Sequence, residues 1–205
     1  MAKPLCSERE FVLGGATVLL ARGPANARTG LVARAAGGVL ELPPDRISVQ
    51  HSCPRCGGRD HGRPVVAAIG PDDRTCWVSS SRTGNYAAAA AHGSAPIGVD
   101  IESVSRIWAH PVDDVLLHPI ERRAIARLRP EAARRRLAQL WVAKEAILKS
   151  TGDGLTRDLT QLLVTVHGRK ATVQSWPDTL ALAAPPQVGL FDVGSDVVGA
   201  LATQR

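Results

Sequence analysis

Aromatic side chains are scarce in this chain: phenylalanine, tyrosine and tryptophan make up 3% of its 205 residues. The core must therefore be largely aliphatic, and a nucleic-acid platform of stacked rings has few residues to draw on. Long apolar runs are missing too, and none reaches the length that crosses a bilayer. The first ten residues, Met-Ala-Lys-Pro-Leu-Cys-Ser-Glu-Arg-Glu, lack the basic-then-apolar order of a secretory signal, so a cytoplasmic location is expected. No tandem repeat or long low-complexity tract is visible. Cysteines number four, and the expected cytoplasmic setting argues against disulfides. Cys6 and Cys76 are isolated and read as free buried thiols.

What is present is an ordinary globular composition. Hydrophobic residues make up 44% of the chain, which argues against disorder, and the length allows one domain or two small ones. The formal charge of +6 and the pI near 9.7 point to an acidic partner without saying which. The triplet Arg134-Arg135-Arg136 sits on an expected helix and reads as a solvated face.

Along the chain, the stretch from Pro24 is moderately helical and is expected to end near Gly37-Gly38. Residues 47–49, 65–69 and 75–79 are strand candidates, and the alanine-rich 86–91 fits strand or helix. Residues 97–102 read as a strand and 115–128 as a helix. Pro130 suits the first turn of a further helix running to about Ser150 and closed by Thr151-Gly152. Short segments at 162–166, 171–174, 188–193 and 197–202 are then strands, mostly antiparallel by their short connections. The chain reads as two α/β halves meeting near residue 97.

A split motif carries the chemistry. Gly98-Val99-Asp100-Ile101-Glu102 is followed by Trp141-Val142-Ala143-Lys144-Glu145-Ala146-Ile147-Leu148-Lys149, a spacing of 141 − 100 = 41 from Asp100 to Trp141. In a strand Asp100 and Glu102 project to one face. In a helix Trp141, Glu145 and Lys149 share a face, and Lys144 borders the apolar stripe with Leu137, Leu140 and Leu148. A strand carboxylate pair with a helical Glu and Lys can hold a hard cation beside a phosphate, since Mg2+ takes a few carboxylate oxygens and completes its shell with water and substrate phosphate. Each piece alone is more often a strand edge or an amphipathic helix.

Together, in this order and at this separation, the two pieces resemble the 4′-phosphopantetheinyl transferases, in particular their broad-specificity monomeric, surfactin-synthetase-activating type. The resemblance covers roughly residues 25–175. It implies an α/β (α+β) fold of two pseudo-symmetric halves, 1–97 with nucleotide-binding elements and 98–205 with the metal-binding and catalytic motifs. Each half would be a small, mainly antiparallel sheet packed on a long helix. The implied activity is Mg2+-dependent transfer of 4′-phosphopantetheine from coenzyme A to a serine of an apo acyl or peptidyl carrier protein, with 3′,5′-ADP released. Asp100, Glu102 and Glu145 would hold the metal, and Glu145 is also the implied base or water-positioner. Lys149 would donate to the phosphate, and Lys144 would neighbour the pantetheine.

Upstream, His61-Gly62-Arg63-Pro64 resembles the family's G-[KR]-P nucleotide element. Residues 77–84 fall where the family has a strand ending Ser-His-Ser, with Ser81 in place and Arg82 at the histidine position. An arginine there can still pair a phosphate. Arg34, in Leu31-Val32-Ala33-Arg34, resembles the L-x-R element that reaches the 3′-phosphate. The family's N-terminal strand-helix region is expected to be cut short before the Arg34 helix. The resemblance also implies a monomer, with carrier protein and coenzyme A as partners, no membrane, and no nucleic acid.

Two competing readings stand beside it. His51, Cys53, Cys56 and His61 offer two thiolates and two imidazoles, as tetrahedral zinc uses, which with the basic charge suggests a small zinc-containing nucleic-acid-binding module. All four fall in one short loop, without the distant second pair of a zinc ribbon. The other is a catalytically degenerate relative that binds coenzyme A without turnover, motivated by Arg82 and the short amino terminus.

Overall fold

The computed structural model describes residues 7–24, 30–53, 56–58, 62–68, 76–152, 158–178, 180 and 182–204. Two antiparallel sheets lie face to face between two helices. The amino-terminal sheet has the order β1-β2-β6-β5, built from Ser7–Leu13, Ala16–Arg22, Tyr86–His92 and Trp77–Thr83. The carboxy-terminal sheet has the order β7-β11-β10-β9-β8, from Ile97–Ser103, Val197–Thr203, Gln187–Asp192, Lys170–Ser175 and Leu163–His167. A separate ribbon pairs β3 (Ile47–Ser52) with β4 (Arg63–Ala68). The fold class is therefore mixed α/β with antiparallel sheets, as expected, and among the described residues no helix is long and apolar enough to cross a membrane.

Three apolar clusters hold these layers together. Helix α1 (Leu31–Leu40) covers the outer face of the first sheet through Leu31, Ala35 and Leu40 against Val78, Ala87 and Ala89. Helix α5 (Pro130–Thr151) covers the outer face of the second through Leu140, Ala143 and Ile147 against Val164, Val188 and Ala200. Between the sheets, Ala16, Val18, Leu20, Ala88 and Ala90 meet Ile97, Val99, Ile101 and Leu201. The alanine-rich β6 is resolved as a strand: both of its sides are buried, and alanine lets the layers approach closely.

Several expectations need correcting. The helix from Pro24 runs instead from Leu31 through Gly37 and Gly38 to Leu40, because both glycines lie inside it and the turn comes at Glu41 in the left-handed region; residues 25–29 lie outside the described residues. The helices are unequal, with 10 residues in α1 and 22 in α5, so only the second half packs on a long helix. The helix expected over 115–128 is two pieces, α3 (Asp113–Leu116) and α4 (Pro119–Ile125), since Pro119 cannot continue a helix and instead starts one behind a His118 capping box. A short α2 (Val104–Trp108) was not anticipated, and neither was the β1–β2 hairpin in the amino-terminal region that was expected to be cut short. β1 is largely exposed and polar, which hides its pairing from a hydrophobicity pattern.

The contact that positions the site is between β7 and α5. Gly98 packs against the helix so closely that a Cβ there would overlap the Ala146 carbonyl oxygen and lie 2.6 Å from the Ser150 nitrogen. A glycine at this position lets the strand lie on the helix backbone, which sets Asp100 opposite Glu145 and Lys149.

Candidate functional site

The edges of the two sheets meet at β5 and β7, and side chains rather than a backbone ladder join them. The Ser79 hydroxyl accepts from the Val99 N–H at 3.0 Å, and Ser81 donates to Asp100 Oδ1 at 2.7 Å. Thr83 donates to Glu102 Oε1, which also accepts from the Ser103 N–H at 2.7 Å. Hydroxyls at alternate positions of one strand thus serve carboxylates at alternate positions of the other. The roles of Ser79 and Thr83 were not foreseen. The signal for them was the Ser-x-Ser-x-Thr spacing, which matches Asp-x-Glu.

Helix α5 brings Glu145 and Lys149 to the same place. Lys149 Nζ donates to Asp100 Oδ1 at 2.7 Å and to the Val99 carbonyl at 3.1 Å. Glu145 is 5% exposed, and its Oε1 is buried with no hydrogen-bond partner. Burial, then repulsion from Asp100, pushes the Glu145 carboxyl up to about 7 against the pull of Lys149. Burial also raises Asp100, with Lys149 and Ser81 opposing the shift and Glu102 adding slightly to it. Two carboxyls driven up by burial and, for Glu145, by its neighbour form a site that gains from added positive charge.

The remaining expected residues divide. Arg63 on β4 stacks over Trp77 at 5.1 Å and reaches the carboxy-terminal cap of α5, where a Cβ on Gly152 would lie 3.3 Å from its Nη1. Its partial burial lowers the guanidinium pKa. Pro64 is buried opposite His51 in the β3–β4 ribbon. Arg82 is exposed and, by the alternation along β5, projects from the sheet face opposite Ser81, the α1 side occupied by Val78. Arg34 is drawn away to an ion pair with Glu8 of β1 at 2.5 Å.

Lys144 points into the interior. It is fully buried, and its ammonium donates to Glu121 Oε2 at 2.7 Å, the Leu116 carbonyl at 2.7 Å and the Leu159 carbonyl at 2.9 Å. All three N–H donors are used inside the protein. Glu121 was missed by sequence reading. It also accepts from the Val164 N–H at 2.8 Å and the His118 N–H at 2.9 Å.

The three expected metal ligands are not gathered equally. Among the described residues no three His, Cys, Asp or Glu side chains converge where a metal could be held, because Glu102 is turned to Thr83 and the Ser103 N–H. Asp100 and Glu145 do fit a divalent cation: two buried carboxylates, one oxygen without a partner, and the hard oxygen donors that Mg2+ selects. In the cysteine loop, the Gly57 N–H donates to the Cys53 carbonyl at 2.8 Å, and the Gly58 N–H lies 3.4 Å from Cys56 Sγ. His61 lies outside the described residues, as does Cys6. Cys76 is half-buried, and burial pushes its thiol up to about 11.

Part of the chain is similar to known proteins. Residues 96–188, which contain both pieces of the split motif, match the family model of the 4′-phosphopantetheinyl transferase superfamily. A Synechocystis protein whose name assigns it as a candidate 4′-phosphopantetheinyl transferase is 28% identical over 103 residues, covering 50% of this chain and 41% of its own length. The chain thus spans less than half of that curated relative. Among solved structures, a holo-ACP synthase from Plasmodium yoelii is 20% identical, covering 54% of this chain and 94% of its own, with a TM-score of 0.40. A holo-(acyl-carrier-protein) synthase from Bacillus anthracis, solved in complex with CoA (3′,5′-ADP), is 21% identical and covers 54% of this chain and 96% of its own, with a TM-score of 0.41.

Proposed function

We propose that this protein transfers 4′-phosphopantetheine from coenzyme A to a serine of an apo carrier protein. The observation that carries the reading is the buried Glu145 carboxylate, its Oε1 unpartnered beside Asp100 and Lys149. The match of residues 96–188 to the superfamily supports it. The reaction forms a bond from the serine oxygen to the β-phosphorus of coenzyme A and breaks the bond from that phosphorus to 3′,5′-ADP. It calls for positioning, charge neutralisation and a proton acceptor.

Asp100 and Glu145 are the residues that would hold Mg2+, which when bound supplies positive charge to the diphosphate. Glu102, held by Thr83, is a supporting carboxylate at the edge of that pair in this reading. Glu145, whose carboxyl burial and Asp100 push up to about 7 before any cation is bound, is also the candidate to accept the serine proton. Lys149 donates to the transferred phosphate. Arg63, stacked on Trp77 by the end of α5, is the candidate contact to the nucleotide, with Ser81 orienting Asp100 between them. The protein acts as a cytoplasmic monomer in this reading, with the surplus of basic residues facing an acidic carrier.

The test is the intact mass of an apo acyl or peptidyl carrier protein after incubation with this protein, coenzyme A and Mg2+. A gain of one phosphopantetheine, abolished by EDTA and by Glu145→Gln, is expected. No gain across several carriers would overturn the transferase reading. Coenzyme A binding by that same inactive protein would then favour a degenerate relative.

A further inference from the structure

Lys149 stands where an incoming cation has to go. Its ammonium is held by Asp100 Oδ1 at 2.7 Å and the Val99 carbonyl at 3.1 Å, with the Ser80 carbonyl at 3.5 Å. The Asp100 side chain is 9% exposed and that of Lys149 28%. Glu145 Oε1 has almost no open surface. The lysine is thus the solvent-side member of the group, and the two carboxylates lie beneath it. Asp100 Oδ1 is further engaged by the Ser81 hydroxyl. A small cation approaching from solvent therefore meets a carboxylate that is already neutralised and covered.

We infer that Lys149 is an internal counter-cation that holds down divalent-cation affinity until the phosphates of a bound ligand draw its ammonium off Asp100. The inference rests on the reading of the site as a cation-assisted transferase, and adds a coupling between its two ligands. A phosphate is the group that can compete for the ammonium, because it replaces one anionic partner with another while two backbone carbonyls are given up to solvent. The lysine stem is unbranched and lies one turn before the Gly152 cap of α5, so the head can swing without moving the helix. Once it has moved, Asp100 and Glu145 face each other without a positive charge, which is the state that binds a cation. Any factor by which phosphate tightens the cation must equal the factor by which the cation tightens phosphate.

The probe is Mn2+, with the free ion read by electron paramagnetic resonance, titrated into wild type, Lys149→Met and Lys149→Arg without coenzyme A. Lys149→Met is expected to bind Mn2+ about tenfold tighter than wild type, while Lys149→Arg, which keeps the charge, stays within about twofold. In wild type, coenzyme A tightens Mn2+ by about tenfold after correction for Mn2+ held by coenzyme A alone, and Mn2+ tightens coenzyme A by the same factor. Circular dichroism establishes that each variant is folded. Lys149→Met binding no tighter than wild type overturns the counter-cation role, and so does the absence of reciprocal coupling in wild type, which needs no variant. If no protein binds Mn2+ even with coenzyme A bound, the cation site itself is wrong and the transferase reading loses its metal along with the inference.

Discussion

The hydroxyl of Ser81, on the edge strand of the first sheet, donates to Asp100 Oδ1, on the edge strand of the second, at 2.7 Å. This bond ties the acidic strand of one half to the other half, and Thr83–Glu102 repeats it two residues on. Because the acceptor is charged, Ser81→Ala should cost about 1–3 kcal/mol of stability, read by urea unfolding. It should also slow the proposed transfer by about tenfold, as Asp100 loses one of the groups that orient it. An unchanged midpoint and rate would remove Ser81 from the site.

Glu145 contributes to the pH dependence of stability. Its carboxyl is raised from 4.5 to about 7 in the folded chain, so the native state binds more protons than the unfolded state between these values. Stability is then greatest below about 4.5 and falls as pH rises to about 7, by up to about 3 kcal/mol from this group. Glu145→Gln should remove that slope and be more stable than wild type at pH 8 in EDTA. Denaturant unfolding of both proteins across pH 5–8 checks it, and parallel curves would contradict the burial of this carboxylate.

The Lys144–Glu121 pair holds α4, α5 and the turn at Leu159 together without solvent contact. Burial pulls the Lys144 ammonium down while Glu121 opposes the shift. Removing one partner leaves the other charge buried and unpaired, so Lys144→Met or Glu121→Gln should each destabilise by about 3–5 kcal/mol. The double variant should cost less than the sum of the two, by about 1 kcal/mol or more. Strict additivity in thermal or urea unfolding would show that the pair is not coupled.

Gly98→Ala tests the strand–helix contact. A methyl group there meets the Ala146 carbonyl and the Ser150 nitrogen, which are backbone atoms that cannot turn aside. Overpacking of this kind costs about 1–3 kcal/mol. It should lower the melting temperature and cut the proposed transfer more than the stability loss alone explains, since β7 carries Asp100. Wild-type turnover in a folded Gly98→Ala protein would show that the close approach does not position the site.

The sequence by itself determined the elements whose signals are local. Pro130 and Gly152 bracket α5 to within a residue or two, and the short alternating runs after residue 160 became β8 to β11. The Asp-x-Glu spacing put two carboxylates on one face of β7, and both do meet the hydroxyls of β5. Polar β1 was invisible because an exposed edge strand buries too little to leave a hydrophobic pattern.

Only the tertiary structure decided what the charged residues do, because charge alone does not say which way a side chain is paired. Lys144 and Lys149 are five residues apart on one helix, yet the first is sealed against Glu121 while the second lies at the sheet junction on Asp100. Arg34 and Arg63 were both candidates in sequence. Packing sent one to Glu8 on β1 and the other to Trp77 on β5, beside the end of α5. The raised Glu145 carboxyl is likewise a property of the assembled layers: it arises from burial and from Asp100, a neighbour 145 − 100 = 45 residues away in the chain, brought close by the contact at Gly98.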